Sequence, residues 1–209
     1  MCGIVGYIGK SKAVDVLLDG LNKLEYRGYD SSGIALFNDD NIEIIRSVGR
    51  IKNLEDKIDM NSVSNYNKGI AHTRWATHGG VTEENAHPHS VGNITLVHNG
   101  IIENADILRD ELKNKGYEFK SNTDTEVIAA LLDLNLEENF LNTIENTTKI
   151  LKGSYALGII VKNDKNNIMK IALCIKQVPD TTDIKWTEQN TIQREGVESV
   201  INPYDVYAI

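Results

Sequence analysis

Apolar positions recur along this chain with two periods. Residues 2–8 are a short apolar run broken by glycines, which predicts a buried strand at the extreme N-terminus. Val14, Leu17, Leu18 and Leu21 fall at i, i+3, i+4 and i+7, the spacing that lines one face of a helix. Residues 33–38 and 41–47 flank Asp39-Asp40 and predict a hairpin, and a brief helix is expected at 54–58. Residues 68–75 and 93–98 read as strands. Between them, 78–92 is rich in glycine and histidine, lacks periodicity and is expected to be a loop that could act as a lid.

Ala105, Leu108 and Leu112 mark a further amphipathic helix, and 125–136 and 140–151 two more, with Gly153 as the expected C-cap. Residues 154–162 and 168–176 are strongly strand-like. Strands and helices arrive in clusters rather than in strict alternation, which favours an α+β layered architecture over a doubly wound parallel sheet.

With 209 residues the chain is about 1.4 times a typical domain length, so one domain plus an appendage is expected. Its 41% hydrophobic and 25% charged content is that of a globular protein with a real core. No apolar run approaches the roughly 18 residues of a membrane span, and the N-terminus has no basic segment leading into an apolar stretch. A cytoplasmic protein without a membrane partner is the expectation. The net charge of −8 disfavours nucleic acid, whose binding needs a basic face. Cys2 and Cys174 are expected to be free thiols, since a reducing compartment and an adequate core remove the need for a disulfide.

Cys2 stands out chemically. Removal of Met1 would give Cys2 a free α-amine beside its thiol, and an amine with pKa about 7.7–8.0 can take the proton of a thiol with pKa about 8.5. Nucleophile and base would then share one residue, backed by the strand-like Ile4-Val5.

The blocks Met1-Cys2-Gly3-Ile4-Val5-Gly6, Tyr26-Arg27-Gly28-Tyr29-Asp30-Ser31-Ser32-Gly33, His72-Thr73-Arg74-Trp75-Ala76-Thr77-His78-Gly79, Asn85-Ala86-His87-Pro88-His89, His98-Asn99-Gly100-Ile101-Ile102-Glu103-Asn104 and Asn122-Thr123-Asp124-Thr125-Glu126 follow one another in that order. Together they resemble the glutaminase domain of the glutamine:fructose-6-phosphate amidotransferases, which are class II glutamine amidotransferases. The resemblance covers residues 1–167. It implies an N-terminal-nucleophile hydrolase fold, a four-layer αββα sandwich with two antiparallel sheets, here truncated, and L-glutamine as substrate.

Position by position, the resemblance makes Cys2 the nucleophile of a γ-glutamyl thioester, with Arg27 beside it. Asn99 and the Gly100 N–H become the oxyanion hole; as a bare dipeptide after an apolar strand, Asn99-Gly100 reads first as a hairpin turn, and the companion blocks turn the reading toward the site. Arg74 becomes the clamp on the glutamine α-carboxylate, although arginines are usually surface residues. Asp124 becomes the partner of the α-ammonium, while its place before a helical pattern also suits an N-cap. Trp75, Thr77, His78 and His87 are implied to surround the substrate, on a mobile loop running from Trp75 to about Val81. Fructose 6-phosphate would be met only through isomerase domains that follow in the family.

No cofactor is expected, because GxxxxGK[ST] and GxGxxG are both absent. Nor is a metal: the histidines and Cys2 have no HxxxH or CxxC spacing, and each histidine lies in a block already accounted for. Residues 168–209 leave the glutaminase pattern. From Met169-Lys170-Ile171-Ala172-Leu173-Cys174-Ile175 onward they resemble the start of an electron-transfer flavoprotein β-subunit, too short for that family's nucleotide site. Residues 169–175 could still add a strand to the preceding sheet. A monomer is expected.

Overall fold

A computed structural model describes residues 2–38, 41–77 and 79–162, together with the backbone of 170–179 and 199–201. Four strands form the first sheet: β1 (Gly3–Ile8), β2 (Ser31–Phe37), β3 (Ile42–Val48) and β4 (Lys68–Arg74), in the order β1-β4-β2-β3. The second has the order β5-β6-β7-β8-β9, built from β5 (His89–Val91), β6 (Ile94–Gly100), β7 (Tyr155–Val161), β8 (Lys170–Pro179) and β9 (Ser199–Ile201). Every neighbouring pair is antiparallel.

Side-chain alternation assigns each strand's two faces. On β2, Ile34 and Leu36 join a core under α1 (Ala13–Leu24) and α2 (Ile51–Glu55), whereas Ala35 and Phe37 face the other way. They meet Ile70 of β4, Val97 of β6 and Ile160 of β7, and this cluster is the seam between the sheets. On the far side, Ile94, Leu96, Leu157, Ile159 and Val161 pack under α3 (Ala105–Asn114), α4 (Asp124–Leu134) and α5 (Phe140–Thr148). The result is the expected helix, sheet, sheet, helix sandwich. Strands buried on both faces explain the near-continuous apolar runs, and each fully buried aliphatic or phenyl group contributes about 1.5–3 kcal/mol.

The helices follow their local signals. α1 buries Ala13, Val14, Leu17 and Leu21, with Asp15 in its first turn and Lys23 in its last, each complementing the helix dipole. α4 is buried almost all round from Asp124 to Leu132, so it carries little polar face. None of the helices among the described residues is long and apolar enough to cross a membrane.

Several boundaries differ from expectation. The short helix is Ile51–Glu55, earlier than 54–58, because Ile51 and Leu54 are its buried pair. The unpatterned 78–92 stretch contains β5, which pairs Ser90 with Thr95. α5 ends at Thr148 with Lys149 as its C-cap; Gly153 instead lies in the turn entering β7, where an added Cβ would meet Ile101 O at 2.2 Å. The segment expected to supplement the sheet does so: β8 pairs with β7, from Tyr155 opposite Gln177 to Val161 opposite Lys170, with an irregularity between Leu157 and Ile159. The expected domain boundary at 167 lies outside the described residues, as does all of the tail from Val178 onward except Val178, Pro179 and 199–201.

Candidate active site

The same alternation that builds the seam delivers polar groups to one end of it. Ile4 of β1 faces the seam, so Cys2, two residues earlier, lies on that face; along β4, Ile70 is followed by His72 and Arg74; along β6, Val97 is followed by Asn99. Register brings these positions together, pairing Ile4 with His72. Cys2 is half-buried, and its Sγ accepts the Trp75 backbone N–H at 3.2 Å and lies 3.6 Å from the Trp75 carbonyl.

Asp30 fixes the backbone that carries Trp75. Its N–H donates to Arg74 O at 2.8 Å and its Oδ2 accepts the Ala76 N–H at 2.5 Å, so it grips the chain on both sides of Trp75. Arg74 itself is buried, and its Nη1 donates to Gly80 O at 3.2 Å. Burial lowers the pKa of its guanidinium from the ordinary value, and the nearby charges of Asp30, Cys2 and Asp124 oppose that shift.

Asp124 is not the N-cap. Thr123 takes that role, its Oγ1 accepting the Glu126 N–H at 3.3 Å. The Asp124 carboxylate is thereby left to accept the Ile102 N–H at 3.0 Å, and it lies 3.7 Å from His98 Nδ1. Arg109 holds the loop before the helix by donating to Ser121 O and Thr123 O. Arg74 and Asp124 are both buried, and the Asp124 charge acts on the Arg74 guanidinium.

Asn99-Gly100 is not a hairpin turn. Both residues end β6 within the ladder, opposite Ala156 and Tyr155. Gly100 has φ +126°, and an added Cβ would meet Ser154 O at 2.2 Å, so no other residue fits. Asn99 Oδ1 lies 2.8 Å from His72 Nε2.

Behind Asn99 the histidines form a buried column. The His72 and His87 rings are 4.2 Å apart and those of His87 and His89 5.0 Å. His87 Nε2 and His98 Nδ1 share Thr125 Oγ1 at 2.7 and 3.0 Å, while His89 Nε2 meets Thr123 Oγ1 at 3.1 Å. Burial pushes His72 and His89 down to about 3 and His87 well below its ordinary value. These rings are therefore neutral near pH 7. Among the described residues, no group of three or more His, Cys, Asp or Glu could hold a metal ion.

The structure thus gathers Cys2, Arg74, Asn99, Gly100 and Asp124 around one end of the seam. Trp75 and Thr77 are exposed beside it, with the Trp75 ring over Gly28, next to Arg27. His87 sits in the interior on Thr125, and His78 lies outside the described residues. Asp30 and His72 belong to the sequence blocks, but the resemblance gives neither a role. His72 had a signal, since alternation places it on the face of Arg74; Thr125 had none, because its partners come from separate strands.

Comparison with known proteins relates the chain to glutamine amidotransferases. Residues 72–172 match the family described as a glutamine amidotransferase domain. Over 173 residues, 82% of this chain, the sequence is 51% identical to the glutamine–fructose-6-phosphate aminotransferase [isomerizing] of Clostridium acetobutylicum. It is 49% identical over 170 residues, 80% of this chain, to the enzyme of the same name from Helicobacter pylori. The chain spans 28% of the length of each of these relatives. Among solved structures, the glutamine phosphoribosylpyrophosphate amidotransferase of B. subtilis, complexed with ADP and GMP, superposes with a TM-score of 0.68 at 28% identity, covering 83% of this chain and 37% of that one.

Proposed function

Because this chain carries a glutamine amidotransferase domain, we propose that it hydrolyses the side-chain amide of L-glutamine, with Cys2 as nucleophile, releasing ammonia and glutamate. The observation that carries this reading is the position of Cys2 Sγ. It is fixed by the Trp75 N–H and lies in the field of the buried Arg74, which also feels Asp124.

In the proposed reaction Arg74 binds the α-carboxylate and Asp124 the α-ammonium of glutamine, which sets the side-chain carbonyl against Cys2. Once Met1 is removed, the Cys2 α-amine takes the thiol proton as Sγ attacks the amide carbon. Asn99 Nδ2 and the Gly100 N–H stabilise the tetrahedral oxygen, a contribution whose loss typically costs about 100- to 1000-fold. The same amine returns the proton to the leaving nitrogen, ammonia departs, and a γ-glutamyl thioester remains. Water then attacks the thioester to release glutamate and restore the thiol. Trp75 and Thr77, exposed beside the site, are assigned to closing it and excluding water, a role the resemblance extends to His78, with Arg27 flanking the nucleophile and His87 supporting from behind.

The identity of about half the residues with the fructose-6-phosphate enzymes favours that type over the phosphoribosyl type, at 28%. Fructose 6-phosphate is accordingly the proposed ammonia acceptor, reached only through isomerase domains. A monomeric, cytoplasmic glutaminase unit over 1–167, with 168–209 taking no part in the chemistry, completes the proposal.

Glutamate release by the purified chain tests it, with the intact mass recorded to establish the state of Met1. Cys2→Ala should abolish release while calorimetry still detects glutamine binding. Equal release by the variant would remove Cys2 from the reaction.

A further inference from the structure

An asparagine side chain has two ends of nearly the same size and opposite polarity. If Asn99 is to donate to a developing oxyanion, its NH2 group must face the substrate, and the opposite orientation would present a carbonyl oxygen to a negative charge. The backbone cannot settle this choice. The ladder fixes the Asn99 main chain opposite Ala156, but leaves the terminal amide free to turn over. Something must read which end is which.

We propose that His72 does so: its Nε2–H holds Asn99 Oδ1 at 2.8 Å, which turns the Asn99 NH2 toward the bond that breaks and makes His72 the positioning residue of the oxyanion hole. This role rests on the glutaminase reading above. Oδ1 only accepts, so the imidazole must donate through Nε2. The Nδ1 atom of His72 makes no hydrogen bond of acceptable geometry, although the His98 backbone lies close enough to favour a proton on the ring. The single proton of a neutral ring therefore belongs at the short Nε2 contact.

The surroundings keep the ring neutral and still. His72 is fully buried, lies tilted against the His87 ring with centroids 4.2 Å apart, and has its pKa pushed down to about 3 by that burial. A lysine or arginine at this place would bring a buried charge, and an aliphatic residue would leave the amide orientation undecided. A neutral histidine supplies one donor with a fixed direction, at the end of a strand whose next inward residue is Arg74.

Two measurements test this on the full 209-residue chain. Long-range 1H–15N spectra of the wild-type imidazoles read the tautomer directly; a protonated Nε2 on His72 is expected, and a protonated Nδ1 would overturn the assignment. Kinetics of two amide variants supply the second test. In His72→Gln the side-chain nitrogen reaches the place of Nε2, whereas in His72→Asn it stops near that of Nδ1. His72→Asn should lower kcat for glutamine by about 100-fold, the typical loss of one oxyanion donor, with KM within about twofold. His72→Gln should restore most of the rate. Equal losses in the two variants, or a loss carried by KM, would make the role merely structural. Should the wild type release no glutamate, the glutaminase reading falls, and the tautomer alone decides whether His72 orients Asn99.

Discussion

Asp30 and Ala76 are joined by a 2.5 Å hydrogen bond from the Ala76 N–H to Asp30 Oδ2, one residue beyond the N–H that meets Cys2 Sγ. The Asp30 N–H meanwhile holds Arg74 O at 2.8 Å. Trp75 is therefore suspended between two bonds to a single residue, and the thiol of Cys2 takes its place from that suspension.

Breaking one of those bonds should loosen the nucleophile without removing it. Asp30→Ala deletes the acceptor for Ala76 and keeps the backbone bond to Arg74. Since a misplacement of about 1 Å can cost roughly 100-fold in rate, kcat for glutamine should fall by up to that factor. Asp30→Asn, which retains a side-chain oxygen, should fall less. Steady-state kinetics decide the matter, and a kcat for Asp30→Ala equal to wild type would show that the Trp75 backbone needs no side-chain support.

Arg74 makes a different prediction because its proposed work is ground-state binding. Its guanidinium is buried and now donates to Gly80 O, a bond that substrate carboxylate would replace or share. Hydrogen bonds to charged groups contribute about 1.5–3 kcal/mol, so Arg74→Ala should raise KM for glutamine by roughly 10- to 100-fold with a smaller change in kcat. Arg74→Lys should recover little, because a point charge cannot make the two parallel contacts of a planar fork. An unchanged KM in Arg74→Ala would take this residue out of the carboxylate role.

Most of the fold is legible in the sequence, for a physical reason. Strands covered on both faces, such as Ser31–Phe37 and Tyr155–Val161, must be apolar nearly throughout, and helices covered on one face must repeat at 3.6 residues. What escapes has little local signal. β5 is three residues long and sits among histidines and a proline, so its pairing with β6 is a tertiary fact. Thr123 and Asp124 both suit an N-cap, and only the Glu126 N–H pointing at Thr123 Oγ1 tells them apart. The candidate site divides the same way. Cys2, Arg74 and Asn99 stand in recognisable blocks, and alternation alone aligns His72 with Arg74. The bonds from His87 and His98 to Thr125 depend on how α4 lies across the second sheet, which no spacing reveals.

Those buried histidines also fix how the fold responds to acid. His72 and His89 are pushed down to about 3 and His87 well below its ordinary value, so all three stay neutral in the folded chain at mildly acidic pH. In the unfolded chain each titrates near about 6.5. The unfolded state therefore binds more protons below that pH, and stability must fall as pH falls through about 6.5 toward 3, while above about 7.5 these groups contribute no slope. Three such groups together should cost the fold several kcal/mol between pH 7.5 and 5.5, at about 1.4 kcal/mol per proton per pH unit. Urea unfolding followed by circular dichroism at the two pH values measures this directly, with the midpoint expected to move to lower urea at pH 5.5. His89→Gln, which keeps a polar group near Thr123 without a titrating ring, should flatten the pH dependence by about a third. A midpoint independent of pH over this range would mean that the rings carry protons in the folded chain, contrary to their burial.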